Sequence, residues 1–453
     1  MSDDWFERLR SHPLLLPPPI REANGSAEVM ALLRALRDSE TLPPAELAKR
    51  QRARLLEVAR HSVSHSPHFA ARMKGAGLDA AALAGEGELA RLPPLTRENL
   101  VRAGDTLFCT SFPPSHGAAK ATSTSGSTGE PVTVRRTDFC RLHWLAYTLR
   151  EHLWHHRDFA GRLAVVRATI SAPIEAHDWG TPANLFFRTG PGSARPPSCS
   201  VQDLCQWLVE FDPDHLLMLP SALAAVLTEL AQTGLGLRRL KSVRTISETV
   251  SAELRETTSR VLGMPIHDSY TSQEGGVMAT QCPEGSYHVS ETILLEVLDD
   301  AGQPCGVGEI GRIVVTDLIN YATPLIRYEI GDYAEVGAPC TCGRGLPVIR
   351  RFLGRQRNLV LLPDGTRHWP MVGFPLWSDV VPVRQFQFVQ LDRTTILARM
   401  SASGRPDSAQ EARLTTIIQN ALNHPFEIRY EWHETPLPRG PGGKFEEFLC
   451  RAQ

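Results

Sequence analysis

The sequence predicts an α/β protein with a large N-terminal domain, built on a parallel-sheet core with an added β subdomain, and a small α+β domain at the C-terminus. Between residues 160 and 275, strand-like runs alternate with helical ones, a pattern that requires crossover connections and a parallel sheet. β-rich runs follow at 292–335, and a strand–helix–strand pattern begins after Gly354. We therefore expect a large domain at 1–353, with its β-rich subdomain at 292–353, and a small domain at 354–453.

Hydrophobic periodicity predicts the elements one by one. Between Leu47 and Met73 the spacing predicts a helix that ends near Ser66-Pro67. In the alternating region the predicted strands are 163–167, 216–219, 243–246 and 265–269, and the predicted helices lie near 201–210, 221–233 and 251–262. Further strands are expected at 293–298, 312–316, 383–389, 395–398 and 427–431. The C-terminal helix has one apolar stripe through Leu414 and Ile418, with Ser408 and Glu411 spaced as a capping box.

Composition favours a soluble enzyme of the cytoplasm. The 453 residues carry a net charge of −2, which argues against nucleic acid as a partner because such proteins have a basic surface. No apolar run approaches the ~20 residues that cross a membrane. The N-terminus has Asp3 and Asp4 where a signal peptide is basic. The nine cysteines are an odd number and scattered, as expected in a reducing compartment.

A hydroxyl- and glycine-rich run, TSGSTGEP, spans residues 124–131. Glycines let the backbone approach an anion closely, and hydroxyl and backbone donors can wrap phosphate oxygens. The alternative, a flexible linker, is opposed by the β-branched run 132–134 that follows at once and predicts a strand. The run is not a Walker-type loop, because the G-x-x-x-x-G-K-[ST] pattern is absent from it. Its candidate phosphate-binding residues are Thr124, Ser125, Gly126, Ser127, Thr128 and Gly129.

This run resembles the phosphate loop, [ST]-S-G-[ST]-T-G-x-P, of the adenylate-forming acyl/aryl-CoA ligase superfamily. Many members have Lys after the proline, where this chain has Val132; the phenylacetate–CoA ligase branch also lacks that Lys. The resemblance therefore points to that branch. It implies that the loop holds the phosphates of ATP and that Thr128 takes part in catalysis.

Further segments match the same superfamily in the same order. Ser247, Glu248 and Thr249 follow a predicted strand, as does the motif that borders the adenine pocket of relatives, although a helix cap is an equally common use of such a sequence. Residues 268–276 resemble Y-G-x-[ST]-E-x-G. The resemblance implies that Ser269 and Tyr270 contact the nucleotide, with the aromatic ring on adenine, and that Glu274 ligates Mg²⁺, which prefers oxygen ligands. Thr271 and Gln273 depart from the pattern.

Three later segments complete the resemblance. Residues 324–332 match P-L-I-R-Y-x-x-G-D, so that Asp332 is expected to accept hydrogen bonds from the ribose hydroxyls. Arg327 either reaches phosphate or is structural, and we favour the structural role. Arg355 matches the family arginine near the nucleotide, whereas Arg357 replaces the usual Asp or Lys at the hinge between domains. The resemblance implies that the small α+β domain is mobile about this hinge. Residues 437–444 resemble L-P-[RK]-x-x-x-G-K and imply Lys444 as the catalytic cation that stabilises charge on the α-phosphate.

Three cysteines and one histidine form a candidate metal site. Cys282 and His288 are six positions apart, and Cys340 and Cys342 flank one residue. A Cys₃His set suits structural Zn²⁺, and some phenylacetate–CoA ligase relatives resemble the arrangement. Against a metal, the two halves are far apart in sequence, and free cysteines are common in cytosolic cores.

The function implied is ATP-dependent activation of a carboxylic acid, with Mg²⁺, followed by transfer to coenzyme A. Acceptors in other relatives are a carrier-protein thiol or an amine, and a relative without catalysis is a further alternative. A small aromatic acid is the expected substrate, and a homodimer is a further expectation. Segments after the phosphate loop build the acid pocket in relatives. Here they contain Trp144, His152, Trp154, His155, His156, Phe186 and Phe187, although aromatic residues at such positions more often belong to the core.

Overall fold

The computed structural model describes residues 4–17, 26–123, 132–355, 360–368, 380–381, 383–402, 404–435, 437–438 and 447–452, and of residues 355, 367, 368 and 384 it describes the backbone only. The run 124–131, with all its candidate phosphate-binding residues, lies outside these ranges. Arg357 and Lys444 lie outside them too.

The helices of the described part carry the labels α1–α11. Their bounds are, in order, Trp5–Ser11, Ser26–Ser39, Pro44–His65, Pro67–Ala76, Ala80–Leu83, Arg97–Ala103, Asp138–Trp154, Val201–Phe211, Pro220–Thr233, Ala252–Leu262 and Ser408–Ala421. The helix end predicted near Ser66-Pro67 is the end of α3, and α4 follows directly, with the Ser66 hydroxyl capping it by accepting from the Phe69 backbone N–H. Among these helices, none combines the length and the apolar character that a membrane crossing needs.

The strands of the large domain are β1–β14. Their bounds are Ala119–Ser123, Thr133–Thr137, Leu163–Val166, Ile174–Ala176, Gly192–Arg195, His215–Met218, Ser242–Ile246, Ile266–Ser272, Gly276–Gln281, Tyr287–Val289, Ile293–Leu298, Ile310–Asp317, Tyr328–Val336 and Val348–Arg355. β1 and β2 form an antiparallel hairpin of their own. The others form one sheet in the order β11-β12-β13-β14-β10-β9-β8-β7-β6-β3-β5-β4.

Five of the twelve strands of this sheet form the predicted parallel core. β5, β3, β6, β7 and β8 pair in parallel, and helices α8, α9 and α10 connect and cover them, which confirms the α/β class. From β8 onward the pairing becomes antiparallel, so that the β-rich stretch extends the same sheet. Loops at the carboxyl ends of the parallel strands, where such sheets bind ligands, follow Ile246 and Ser272.

The C-terminal unit has a sheet and a core of its own. A short hairpin, β15 and β16, spans Val360–Leu361 and Arg367–His368, and the four-stranded sheet contains β17–β20, at Val383–Gln390, Thr395–Ala402, Glu427–His433 and Phe448–Cys450. The order is β19-β18-β17-β20, with β18 and β19 parallel and joined through α11. Phe386, Phe388 and Phe426 pack against the apolar face of α11, which confirms a small separate α/β domain.

The predicted capping box of this last helix is wrong by one residue. Asp407, not Ser408, is the N-cap: its carboxylate accepts from the backbone N–H groups of Ala409 and Gln410, and the Gln410 side chain returns to the Asp407 N–H. A carboxylate can accept two such donors at once, so Asp407 satisfies more of the helix N-terminus than a serine hydroxyl.

Candidate active site

Two predicted nucleotide-binding residues, Tyr270 and Asp332, are in direct contact. The Tyr270 hydroxyl donates a hydrogen bond of 2.7 Å to Oδ2 of Asp332. The Tyr270 ring stacks on Phe352 of β14, with centroids 3.8 Å apart and planes 13° from parallel. β14, β10 and β9 lie between β13 and β8 in the order of the sheet, so this contact joins two strands that are not neighbours. An aromatic face and a carboxylate that accepts hydrogen bonds therefore stand side by side.

Ser269, the neighbour of Tyr270 on β8, has its side chain in the protein interior. Successive residues of a strand point to opposite faces, so the Ser269 and Tyr270 side chains cannot both face one ligand. The Ser269 residue is 3% exposed, and within the described residues its hydroxyl has no hydrogen-bond partner. Any contact of Ser269 with a nucleotide on the Tyr270 side is therefore limited to its backbone.

Glu274 occupies the tight turn between β8 and β9. Its backbone carbonyl accepts a hydrogen bond from Nη1 of Arg136, while its carboxylate has no hydrogen bond to any described residue. The same Nη1 lies 3.0 Å from Oδ2 of Asp317, which is 1% exposed. The turn is thus fixed through its backbone, and the carboxylate is left to act as a ligand.

Glu248 lies in the loop after β7, at the carboxyl end of the parallel sheet. One of its carboxylate oxygens accepts the backbone N–H of Ser221, in the first turn of α9, at 2.8 Å. Ser247, before it, has φ of 78°, an uncommon conformation for a serine that turns the chain sharply at this point. Glu248 therefore does cap a helix, which was the alternative role given in the sequence analysis. The capped helix is α9, which precedes Glu248 in the chain, and not α10, which follows it. The Glu248 carboxylate also lies near Glu447 of the small domain. Burial raises the pKa of Glu447 to about 7, and the negative charge of Glu248 contributes to this rise.

The Glu447 contact bears on Lys444, although Lys444 itself lies outside the described residues. Glu447 directly precedes β20, which pairs in parallel with β17, and it is three positions beyond Lys444. On the other side, the Leu437 backbone N–H donates to Oε1 of Gln385 at 2.6 Å. The described residues on either side of 439–446 are thus held in the small domain, and Glu447 lies near Glu248 in the loop after β7.

Arg327 is structural, as predicted. Its guanidinium binds both carboxylate oxygens of Glu296, at 3.0 and 2.9 Å, and donates to the backbone carbonyls of Ala90 and Leu92. The residue is 3% exposed. Its donors are used within the protein, so it does not serve the nucleotide.

A cavity of about 210 Å³ opens beside Glu274, between the β1–β2 hairpin, α7 and the β8–β9 turn. Its walls include Arg136, His143, Trp144, Tyr147, Gly275 and Gly276. A Cβ atom on Gly276 would lie 3.0 Å from Nη2 of Arg136, so the glycine permits the guanidinium to approach the turn. Glycine also suits the φ of 74° at this position.

Most aromatic residues proposed for the acid pocket belong instead to the core. Trp154, Phe186 and Phe187 are almost fully buried, and of the predicted set only Trp144 lines the cavity. His152 and His155 lie in a buried ionic network with Glu151 and Arg157.

The sequence analysis did not identify Arg136 as a residue of the site. The sequence did contain a signal for it. Val132, Val134 and Arg136 alternate along a strand and share one face, so a charged residue takes a position where the pattern predicts another apolar side chain.

The four candidate zinc ligands converge. The ligand atoms of Cys282, His288, Cys340 and Cys342 all lie within 4.8 Å of one another. Sγ of Cys282 is 3.7 Å from Sγ of Cys340, and Nε2 of His288 is 3.2 Å from Sγ of Cys342. The first distance agrees with the ~3.8 Å edge of a tetrahedron whose Zn–S bonds are about 2.3 Å. Hydrogen bonds from Cys282 and His288 lower the pKa of Cys342 well below that of a free thiol.

Comparisons with known proteins agree with this geometry. No family model matches the chain. It is 25% identical over 339 residues to the phenylacetate–coenzyme A ligase of Thermus thermophilus, which covers 71% of this chain and 73% of the relative. It is 23% identical to the phenylacetate–coenzyme A ligase of Aromatoleum evansii over 349 residues. This alignment covers 71% of this chain and 74% of the relative. A crystal structure of 2-hydroxyisobutyryl-CoA ligase in the postadenylation state, in complex with R3-HIB-AMP, superposes with a TM-score of 0.68 at 17% identity and covers 91% of each chain. The protein is therefore similar in sequence to the phenylacetate–coenzyme A ligases and has the fold of an adenylate-forming acyl-coenzyme A ligase.

Proposed function

We propose that this chain is an AMP-forming acid–thiol ligase, which activates a small carboxylic acid with ATP and passes the acyl group to coenzyme A. The observation that carries the proposal is the contact of Tyr270 with Asp332. Two residues that the sequence assigned separately to adenine and to ribose lie side by side, as the two parts of one nucleoside require. The similarity to phenylacetate–coenzyme A ligases supports the same reaction.

In the first half-reaction, a carboxylate oxygen of the acid attacks the α-phosphorus of ATP. The bond from that phosphorus to the bridging oxygen breaks, and pyrophosphate leaves with the electron pair. Residues 124–129 and Lys444 hold and neutralise the phosphate oxygens, a task of positioning and electrostatics. Glu274 fits a Mg²⁺ ligand because its carboxylate has no protein hydrogen bond in the described structure. When bound, Mg²⁺ would offset phosphate charge.

In the second half-reaction, the thiol of coenzyme A attacks the acyl carbon of the acyl-adenylate. The carbon–oxygen bond to AMP breaks, and the thiol proton passes to solvent. We place the boundary between the two domains at residues 353 and 354 and assign Arg355 to the nucleotide, with the small domain moving between half-reactions. The separate core of the small domain supports this assignment, because only a few residues need to turn for it to move as a unit.

The size of the cavity supports a single-ring acid. An engineered apolar cavity of about 150 Å³ binds benzene. The present cavity, of about 210 Å³, therefore has room for one ring with a carboxylate. Trp144 offers the ring a flat wall.

We further propose Zn²⁺ at Cys282, His288, Cys340 and Cys342, where it would join the β9–β10 turn to the β13–β14 connection and have a structural role. All nine cysteines are free thiols, which supports a reducing compartment such as the cytoplasm.

A pyrophosphate-release screen over single-ring and aliphatic acids, each with and without coenzyme A, tests the proposal. We expect release with a single-ring acid, and a thioester when coenzyme A is present. Release that coenzyme A does not accelerate would favour transfer to a carrier-protein thiol or an amine. No release with any acid, despite ATP binding, would favour a relative that has lost catalysis.

A further inference from the structure

The cavity presents a guanidinium whose hydrogen-bonding capacity is only partly used. Nη1 of Arg136 is bonded to Asp317 and to the Glu274 carbonyl. Within the described residues, Nε and Nη2 of Arg136 donate to no acceptor, and the side chain lines the cavity. The side chain is 16% exposed, so these donors are open to the cavity and available to a ligand there.

The position and the charge of this guanidinium are fixed. Oδ1 of Asp317 accepts the backbone N–H groups of Ile319 and Asn320, at 2.9 and 3.2 Å, which holds the carboxylate against Arg136. Burial opposes the charge on Arg136, but Asp317 outweighs burial and raises the pKa. Arg136 is therefore a permanent donor that cannot accept a hydrogen bond. The chemical group that it meets must carry a lone pair.

The same wall holds an acceptor. Nδ1 of His143 lies 3.0 Å from the carbonyl oxygen of Phe139, and since a carbonyl only accepts, Nδ1 must carry the imidazole proton. Burial lowers the pKa of His143 to about 4, so the ring is neutral and Nε2 has a lone pair. Arg136 lies close enough to contribute to this shift. The cavity thus combines one donor group and one acceptor with the flat surface of Trp144.

We propose that the acid activated by this chain is a hydroxylated single-ring aromatic acid, whose hydroxyl accepts from Arg136 and donates to Nε2 of His143. The proposal rests on the proposed function and narrows its substrate class. A hydroxyl both accepts and donates, which this pair of residues requires. A methyl group of similar size does neither, and an aromatic amine is a poor acceptor for a guanidinium.

Matched substrates test the substituent. We would measure kcat/KM by ATP–pyrophosphate exchange for hydroxybenzoates and methylbenzoates substituted at the same ring position, for each of the three positions. At one position we expect the hydroxyl compound to exceed its methyl partner ~10- to 100-fold, as a hydrogen bond to a charged donor provides. A ratio within about threefold at every position, with the acids still activated, would overturn the inference and leave the proposed function standing.

Variants of Arg136 test whether this residue selects for the hydroxyl group. In Arg136→Lys, which keeps a cation for Asp317 but loses the planar fork, we expect the hydroxyl-to-methyl ratio to fall ~10-fold. Arg135→Lys is the matched control: its side chain lies on the other face of β2, 4.0 Å from the Phe108 ring, and should leave the ratio unchanged. An equal loss for hydroxyl and methyl acids in Arg136→Lys would assign Arg136 to the reactive carboxylate and overturn the proposal.

Two further measurements cover failure of folding and of catalysis. If circular dichroism shows that Arg136→Lys does not fold, His143→Phe removes the acceptor and should lower the same ratio; an unchanged ratio would contradict the proposal. If the wild type activates no acid, the proposed function fails. Calorimetric titration with 2-, 3- and 4-hydroxybenzoate and their methyl counterparts then decides the inference alone, since equal affinity at every position or no binding would refute it.

Discussion

The Tyr270 hydroxyl lies 2.7 Å from Oδ2 of Asp332, and the same tyrosine ring stacks on Phe352. Asp332 is therefore oriented before any nucleotide arrives. One of its oxygens is held by the phenol, which directs the carboxylate toward the edge of the aromatic ring. In the proposed function, this arrangement would lower the cost of ordering the carboxylate for the ribose.

Removal of the Tyr270 hydroxyl alone tests this orientation. In Tyr270→Phe, which keeps the aromatic face, we expect the apparent KM for ATP to rise ~5-fold, because one hydrogen bond of about 1 kcal/mol is lost. Asp332→Ala should raise it further. Tyr430→Phe removes a half-buried hydroxyl of the small domain, bonded to Thr415, and serves as the control. An unaltered ATP dependence in Tyr270→Phe and Asp332→Ala would contradict contact with the ribose.

Glu274→Gln tests the metal ligand. The substitution keeps the size of the side chain and the backbone carbonyl bond to Arg136 but removes the negative charge. We expect the Mg²⁺ concentration for half-maximal pyrophosphate exchange to rise ~10-fold or more, because Mg²⁺ prefers carboxylate oxygen. Glu284→Gln, in the exposed turn after β9, is the control. Unchanged activity at limiting Mg²⁺ would refute the role.

Lys444→Ala separates the two half-reactions. Loss of a cation that stabilises the transition state should slow acyl-adenylate formation ~100- to 1000-fold. Transfer from a supplied acyl-adenylate to coenzyme A should continue at a rate within a few-fold of wild type, because the α-phosphate is no longer attacked. Equal losses in both steps would indicate instead that Lys444 is needed for the structure of the small domain.

The zinc proposal is tested by metal content. We expect about one zinc per chain in protein prepared without chelators, and a lower melting temperature after its removal. Cys282→Ser and Cys340→Ser should lose the metal, whereas Cys199→Ser, outside the cluster, should retain it. Metal-free wild-type protein with an unchanged melting temperature would remove the proposal.

Buried histidines make the fold sensitive to acid. Burial lowers the pKa of His155 to about 3 and that of His215 to about 4, below the value of about 6.5 in an unfolded chain. Both nitrogens of His215 are engaged, with Ser242 and the Asp158 carbonyl, which suits the neutral ring. Their contribution to stability is therefore complete above about pH 6.5 and is lost as the pH falls toward 4.

The measurement is thermal unfolding between about pH 7.5 and pH 5.5, where each such histidine should cost about 1 kcal/mol at the acid end. His215→Gln should flatten the dependence, and exposed His177→Gln should not. An equal melting temperature at both pH values would contradict this account.

The fold was largely readable from the sequence because periodicity is a local property. Strands predicted at 163–167 and 243–246 are β3 and β7, and the helix predicted near 201–210 is α8. The capping box at Ser408 was misplaced because Asp407 is the better double acceptor, a difference that spacing alone does not show. Arg327 was read correctly as structural, and Arg136 was missed because its partners, Asp317 and Glu274, are distant in sequence.

The amino-acid sequence by itself determined the order of elements and the identity of the motif residues, since both depend on neighbours along the chain. Tertiary structure alone decided which of those residues meet. The contact of Tyr270 with Asp332 joins β8 and β13, which are not neighbours in the sheet, and the Cys₃His cluster depends on two turns brought together by β10 and β14. Tertiary structure also decided that Trp154 and Phe187 fill the core while Trp144 lines a cavity. The burial of a side chain depends on residues from distant parts of the chain that pack against it.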